Sequence, residues 1–324
     1  FLVLAQAPEG VTCFVVPRVR PDGTRNTLSI VRLKDKLGNR SNASSELEFN
    51  DTYATRLGDE GRGIRTIIEM VSATRMDCVL GSASLMRKAL AEAAWHTSQR
   101  SAFGATLADQ PAMTNVLADL SIESEAATAS MMRLARSYDD AATGDERAML
   151  LKRIATPVLK YWICKRAPWH AVESLECLGG NGYAEESGMP RLFRESPLTS
   201  IWEGSGNVQC LDALRAMVKS PASTEVFFEE IGEAAGSDAR LDSFVADLRE
   251  SMGRDPETME VRARRIVEGM ALALQGSLLV RHGDPAVADA FCASRLAGDW
   301  GGAFGTLPAG IDYPAIIARS TPPV

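Results

Sequence analysis

The sequence has little histidine and no closely spaced cysteines. Only three histidines occur among 324 residues, and none has a histidine or cysteine partner at the spacing that metal ligands take on a helix. This scarcity argues against a metal site and against a histidine-based catalytic triad. Six cysteines without a CxxC pair are typical of reduced thiols scattered through the core of a cytoplasmic protein: Cys13, Cys78, Cys164, Cys177, Cys210 and Cys292.

Long apolar runs and an excess of positive charge are also missing. No apolar stretch approaches the length of a membrane span, and no basic segment followed by an apolar run marks the start of the chain. Lys and Arg total 35 against 42 Asp and Glu, which gives a net charge of −7. A generally basic protein that coats nucleic acid is therefore excluded, although a local basic patch is not.

The composition is that of a globular protein, with 45% hydrophobic and 24% charged residues. The length suggests two domains, or one domain with an extension. The chain begins inside a strand-like run, Phe1 to Ala5, without an initiator methionine. We therefore expect an N-terminally truncated chain.

Residues 1–60 have the pattern of β-structure. The β-branched and aromatic run from Val11 to Val16 predicts a strand, and Pro21 to Thr24 predicts a turn. Leu28 to Leu33 is the predicted returning strand, and Glu46 to Phe49 alternates as a half-buried strand should. These strands are too few for a complete barrel or sandwich, so the sequence predicts a partial antiparallel β-domain.

From Gly61 onward the hydrophobic period changes to that of a helix. Met113, Val116, Leu117 and Leu120 form a core-facing stripe. Long alanine-rich helices are predicted at about 62–100, 110–140 and 145–177, and their short connections indicate an antiparallel bundle.

A boundary is predicted at Pro221, and the tail from Thr306, rich in glycine and proline, is predicted to be irregular. The fold class is thus mainly α: a remnant of a β-domain (1–60), a C-terminal helical bundle (61–219) and an additional helical extension (220–324).

Two glycine-containing segments might carry chemistry, and each has a simpler interpretation. The glycines of Leu178–Tyr183 would let a backbone approach a phosphate, or would merely end a helix and form a turn. In Ile201–Asn207, Glu203 follows an apolar Ile-Trp pair. If this pair forms an apolar slot around the carboxylate, desolvation would raise the pKa of Glu203, which suits a general base. Alternatively, Glu203 is a solvated charge and Ser205 or Asn207 caps the following helix.

Two arginines are further candidates. Arg100, in Gln99–Gly104 at a helix end, could bind a phosphate in a bidentate manner, or could simply interact with the helix dipole. Arg75 lies inside the first long helix, where an arginine is most often exposed or ion-paired.

Walker A, GxGxxG, HExxH and GxSxG motifs are absent.

The order and spacing of these segments resemble the acyl-CoA dehydrogenase family, from the partial β-domain to about residue 219. Within the family, Lys34–Ser44, Ile201–Asp212 and the extra residues 220–324 are similar to the AidB-type flavoproteins of the bacterial alkylation response. The segments that carry the family resemblance are Lys36–Arg40, Gly58–Gly63, Thr74-Arg75, Gln99–Gly104, Gly179–Tyr183 and Trp202–Asn207.

The resemblance implies a fold, a cofactor and an assembly. The family fold has an N-terminal helical domain, a middle β-domain and a C-terminal bundle, of which this chain would hold the end of the second and all of the third. It further implies bound FAD and a homotetramer in which the cofactor site is shared between subunits. The residues that match cofactor-binding segments are Arg100, Phe103, Gly104, Gly179, Gly180, Gly182, Ser205 and Asn207.

The resemblance also implies a reaction. A carboxylate removes the α-proton of an acyl-CoA thioester while the β-hydride passes to the flavin. Glu203 matches the position of this catalytic carboxylate, and Arg75 matches an arginine that lies near it.

The AidB-type resemblance implies an alternative function, binding of double-stranded DNA with little dehydrogenase turnover. Residues 216–324 carry 10 Lys and Arg against 16 Asp and Glu. Because non-specific DNA binding requires cationic groups on phosphates, this charge favours the dehydrogenase. Candidate DNA contacts, which could equally be a solvated helix face, are Arg215, Arg262, Arg264 and Arg265.

Overall fold

The computed structural model describes residues 1–254 and 256–322. The chain packs as two compact units, Phe1–Thr74 and Arg75–Val324. The predicted fold class is confirmed, since helices dominate and all strand pairs among these residues are antiparallel.

The first unit contains two separate antiparallel sheets. Its strands are β1 (Leu2–Ala7), β2 (Gly10–Val15), β3 (Leu28–Leu33), β4 (Ser45–Phe49) and β5 (Thr55–Leu57). One sheet has the strand order β1-β2-β5, and the other pairs β3 with β4. Each run that the sequence predicted to be a strand is therefore extended.

The predicted pairing of Leu28–Leu33 with the run that starts at Val11 is wrong. The turn between them does form, because the carboxylate of Asp22 accepts the N–H of Thr24 at 2.9 Å and Gly23 has a φ of 82°. However, β2 is paired on one edge by β1 and on the other by β5. No edge of β2 is left for β3, which pairs with β4 instead.

The three long predicted helices form within about two residues of their expected limits. They are α1 (Gly63–Gln99), α2 (Pro111–Ala142) and α3 (Glu146–Glu176), and the short strands β6 (Ser101–Ala102) and β7 (Ala105–Thr106) make a hairpin between α1 and α2. Proline begins α2, where its missing N–H costs no intrahelical bond. Asp145 caps α3 by accepting the N–H of Ala148 at 3.0 Å.

The helices beyond residue 219 share a core with the long helices. Val158 of α3 packs in one cluster with Phe227, Val267 and Met270. The break at the predicted boundary is a single residue, Ser220, and the domain limits stay a prediction. The remaining helices are α4 (Gly180–Tyr183), α5 (Met189–Glu195), α6 (Gly206–Lys219), α7 (Pro221–Gly232), α8 (Ala239–Gly253), α9 (Ala263–His282), α10 (Pro285–Phe291) and α11 (Tyr313–Ser320).

The prediction of an irregular tail from Thr306 is wrong at α11. Asp312 caps this helix by accepting the N–H of Ala315 at 3.1 Å, and Ile316 is fully buried. The N-cap and one buried apolar residue thus stabilise a short helix, which the glycine and proline content of the tail did not predict. The last two residues of the predicted tail lie outside the described residues.

A buried ion-pair cluster joins the extension to the bundle. Asp119 and Glu123 of α2 both bind Arg295, which lies in a π-helical turn after α10. Arg166 of α3 binds Glu123 through two bonds, of 2.9 and 3.1 Å. These contacts hold residues far apart in sequence against one another.

All six cysteines are free and buried, in agreement with the prediction of core thiols. Within residues 1–254 and 256–322, no helix combines the length and the apolar character that crossing a bilayer requires.

Candidate active site

Glu203 lies in a tight turn that leads into α6. The turn follows a short 3₁₀ segment, Leu198–Ser200, and ends where α6 begins at Gly206. The backbone of Glu203 is left-handed, with a φ of 58°. Residues other than glycine rarely adopt this conformation, and it persists only where surrounding contacts enforce it.

Arg75 of α1 contacts the backbone of this turn. Its Nε donates to the carbonyl oxygen of Glu203 at 3.0 Å, and its Nη1 donates to Asp212 at 2.8 Å. Arg153 of α3 binds the other oxygen of Asp212 at 2.9 Å. Arg75 is therefore both ion-paired and next to Glu203, but it reaches the main chain of Glu203 and not its carboxylate.

Two further side chains hold the turn from inside. Lys160 of α3 donates from Nζ to the carbonyl oxygens of Thr199, Trp202 and Gly204 at 3.1, 2.9 and 2.9 Å. Gln209 of α6 donates from Nε2 to the carbonyls of Glu203 and Gly204 at 3.0 and 2.9 Å. The carbonyl groups of the turn thus point toward the bundle and are bonded there.

The carboxylate of Glu203 has no hydrogen-bond or ion-pair partner among the described residues. The residue is half-buried, but Ile201 and Trp202 beside it are 63% and 38% exposed. The expectation that this pair encloses Glu203 in an apolar slot is wrong for this chain, because Ile201 lies largely in solvent and the side chain of Trp202 contacts the buried thiol of Cys78 instead. The carboxylate is therefore accessible.

Ser205 and Asn207 lie at the start of α6 next to a cavity of about 350 Å³. Ser205 occupies the N-cap position, but its side chain makes no cap hydrogen bond. Asn207 accepts a hydrogen bond from Nε of Arg264 at 2.8 Å, and Trp169 lines the same cavity. The hydroxyl of Ser205 therefore remains available to a ligand.

Arg100, Phe103 and Gly104 belong to the hairpin after α1. Phe103 is 98% exposed and has a left-handed φ of 53°. The guanidinium of Arg100 is exposed, and no described residue forms a hydrogen bond or ion pair with it. The hairpin thus presents an aromatic ring and an unpaired cation to its surroundings.

The glycines after α3 have two different roles. Gly179 has a φ of 58°, and a Cβ at Gly179 or Gly180 would meet nothing within 4 Å, so a ligand could approach the backbone there. A Cβ at Gly182 would lie 2.0 Å from the carbonyl oxygen of Leu175. Gly182 is therefore required by packing, whatever its role toward a ligand.

The structure brings only some of the candidates together. Arg75, Glu203, Ser205 and Asn207 lie in or beside one turn. In the described part of the chain, no hydrogen bond or ion pair connects the Arg100 hairpin to the Gly179 segment or to Glu203. Among the described residues, the predicted cofactor residues are therefore not joined into one site by hydrogen bonds or ion pairs.

Two of the four candidate DNA contacts are engaged within the chain. Arg264 binds Asn207 and lies over the ring of Tyr161, and Arg262 donates to the carbonyl of Ser251 at 2.7 Å. Arg215 and Arg265 are exposed on α6 and α9. DNA binding stays a prediction.

Comparison with known proteins decides the family. Residues 61–218 match the family model "Acyl-CoA dehydrogenase, C-terminal domain". AidB of Escherichia coli (strain K12), which is named as an acyl-CoA dehydrogenase, is 44% identical over 295 residues, covering 91% of this chain and 54% of AidB. Residues 61–218 are therefore an acyl-CoA dehydrogenase C-terminal domain, and the chain is similar to acyl-CoA dehydrogenases over most of its length.

Solved structures of the acyl-CoA dehydrogenase family have the same fold. ACDH-11 of Caenorhabditis elegans, in complex with C11-CoA, matches with a TM-score of 0.84 and 27% identity, over 91% of this chain and 56% of that one. An acyl-CoA dehydrogenase of Bacillus anthracis complexed with FAD matches with a TM-score of 0.73 and 18% identity, over 92% of this chain and 59% of that one. The chain spans about half the length of the relatives that it matches.

Sequence reasoning missed the residues that hold the Glu203 turn. Lys160, Gln209 and Arg153 were not singled out, and Asp212 was noted without a role. One signal was available for Lys160, which interrupts the otherwise apolar run from Val158 to Cys164. A lysine at such a position must either reach solvent or find buried acceptors.

Proposed function

We propose that this chain carries the catalytic carboxylate of an FAD-dependent acyl-CoA dehydrogenase, with Glu203 as the base. One observation carries the proposal: the Glu203 turn is bonded inward through its carbonyl groups while its carboxylate is left unpaired. A fixed backbone with a free carboxylate is the arrangement that a preorganised general base needs.

The reaction is the α,β-dehydrogenation of an acyl-CoA thioester. Glu203 accepts the proton from the α-carbon, and FAD, when bound, accepts the hydride from the β-carbon. Because two C–H bonds break, the carboxylate must stay fixed relative to the substrate, and the bonds from Arg75, Lys160 and Gln209 supply that restraint. The C11-CoA complex of the similar C. elegans protein supports an acyl-CoA substrate.

The residues of this chain fit a bound FAD. The unpaired guanidinium of Arg100 suits the pyrophosphate, and the open backbone at Gly179 and Gly180 admits a phosphate or ribose. The free hydroxyl of Ser205 and the amide of Asn207 suit the polar edge of a flavin. Gly104 gives the hairpin its reversal, and Gly182 supports the second segment by close packing.

Assembly would account for the lack of hydrogen bonds and ion pairs among these groups within one chain. The hairpin carries Phe103 almost fully exposed, although burying an aromatic ring is strongly favourable. A homotetramer in which the hairpin and the Gly179 segment contact the FAD of a neighbouring subunit would bury that ring and pair Arg100. The cofactor site would then depend on the oligomer.

The test is an anaerobic titration with acyl-CoAs of different chain length, following the flavin absorbance. We expect the wild-type flavin to bleach. Glu203→Gln should keep FAD and bind acyl-CoA, but its rate of flavin reduction should fall by about 10²–10⁴-fold, the usual contribution of a general base.

Glu146→Gln is the matched control, because Glu146 is an exposed glutamate in the first turn of α3. It should reduce flavin at the wild-type rate. Wild-type turnover in Glu203→Gln would refute the role of Glu203, and a wild-type flavin that no acyl-CoA bleaches would refute the dehydrogenase.

A further inference from the structure

Lys160 is a buried cation whose only hydrogen-bond acceptors, among the described residues, are main-chain carbonyl groups. Its residue is 1% exposed and lies on the inner face of α3. The three bonds to Thr199, Trp202 and Gly204 use all three protons of the ammonium group. These acceptors lie on both sides of Glu203, and each charge-assisted bond is stronger than a neutral one.

Lys160 forms no ion pair within residues 1–254 and 256–322. The thiol of Cys78 on α1 supplies no negative charge, because burial raises its pKa to about 12. The carboxylate of Glu203 acts on the charge of Lys160 from nearby but forms no ion pair with it. Burial lowers the pKa of Lys160, so keeping the ammonium group charged there is costly, and an apolar side chain could fill the same volume. We therefore attribute the buried positive charge to the three hydrogen bonds that it donates to the turn.

The contacts of Lys160 and Gln209 overlap along the turn, because both side chains donate to the carbonyl of Gly204. Lys160 takes the carbonyls of Trp202 and Gly204, while Gln209 and Arg75 take the carbonyl of Glu203 between them. Together they fix the peptide planes before and after the left-handed residue. Rotation of either plane would break at least one bond and would redirect the side chain of Glu203.

We infer that Lys160 is a positioning residue, which sets the direction of the Glu203 carboxylate by binding the carbonyl groups on both sides of it. This inference rests on the proposed role of Glu203 as the base. Lys160 itself touches no reacting atom, since its three donors are occupied by the turn.

The test combines hydrogen exchange with kinetics. In Lys160→Met, amides of the peptide that contains residues 199–209 should exchange at least about tenfold faster, the factor expected from one lost charge-assisted hydrogen bond. The rate of flavin reduction should fall by about 10²-fold with little change in KM, because the carboxylate is misplaced and acyl-CoA binding is not. Lys152→Met, on the same helix with its ammonium over Tyr138, should change neither quantity.

Lys160→Gln keeps two donors and should recover part of the exchange protection and part of the rate. If Lys160→Met does not fold, Lys160→Gln still tests the positioning role of Lys160. Wild-type exchange in the 199–209 peptide of the folded variant, or wild-type kcat despite faster exchange, would overturn the positioning role.

The two proposals fail in different ways. If Glu203 is not the base, Glu203→Gln will reduce flavin normally, while Lys160→Met will still accelerate exchange in the turn. If Lys160 does not hold the turn, Glu203→Gln will be inactive and the Lys160 variants will match the wild type in both measurements.

Discussion

Replacing Glu123 by glutamine should destabilise the helical unit by about 3 kcal/mol at neutral pH. Burial raises the pKa of Glu123, but the guanidinium groups of Arg166 and Arg295 outweigh it and hold the pKa at about 2, against an ordinary value of 4.5. A difference of this size between the folded and unfolded states corresponds to about 3 kcal/mol. Among the described residues, Asp119 forms an ion pair with Arg295 alone, and burial raises the pKa of its carboxyl.

The pH dependence separates this charge effect from a packing defect. Because the folded-state pKa is depressed, the stability from Glu123 is complete well above pH 4.5 and is lost as the pH falls toward 2. At pH 3, only about 1 kcal/mol of it should remain. The stability difference between the wild type and Glu123→Gln should therefore shrink by about two thirds between pH 7 and pH 3.

Urea unfolding at both pH values, followed by circular dichroism, measures this difference. Glu125→Gln is the control on the same helix, because Glu125 forms its ion pair with Arg319 at the partly exposed surface. Such pairs contribute less than about 1 kcal/mol. A loss in Glu123→Gln no larger than in Glu125→Gln, or a loss that is the same at pH 3 as at pH 7, would refute the reasoning.

Two further predictions concern stability and protonation. Gly182→Ala should lower the free energy of unfolding, measured by thermal melts, by about 1–3 kcal/mol, because its Cβ would lie 2.0 Å from the carbonyl oxygen of Leu175. Gly180→Ala is the control, because the space at Gly180 is open, and its free energy of unfolding should stay within about 0.5 kcal/mol of the wild type. His170 is fully buried, and burial lowers its pKa to about 4. Its imidazole should stay neutral from pH 8 to about pH 5 by NMR, and stability should fall as the pH drops from 6.5 toward 4; a titration midpoint near 6.5 would contradict this.

The helices were predictable because their signals are local. Pro111 at the start of α2 and Asp145 before α3 act within a few residues, and alanine-rich apolar stripes extend over many turns. Strand pairing was not predictable in the same way. The turn at Asp22 was correct, yet the partner of β3 depends on β1 and β5 having already taken both edges of β2.

The candidate site was predictable only in part, for a related reason. Glu203 and Arg75 were singled out from their local sequence, but their roles came from the resemblance to the acyl-CoA dehydrogenases, and no spacing rule connects residues 128 positions apart. Nothing near Lys160 in sequence indicates that it binds three carbonyls about 40 residues downstream. The apolar slot was inferred from the neighbours Ile201 and Trp202, but adjacent residues in a tight turn need not face the same side.

The limits of the matched family domain are not the limits of the site. The match ends at residue 218, but Arg264 of α9 donates to Asn207 and lines the cavity beside Ser205. The extension also shares the largest core cluster with α3, the helix that carries Lys160. Removing the residues after 219 would therefore expose the apolar face of α3 and take away a cation next to the candidate site. The helical bundle and the extension act as one structural unit around the Glu203 turn.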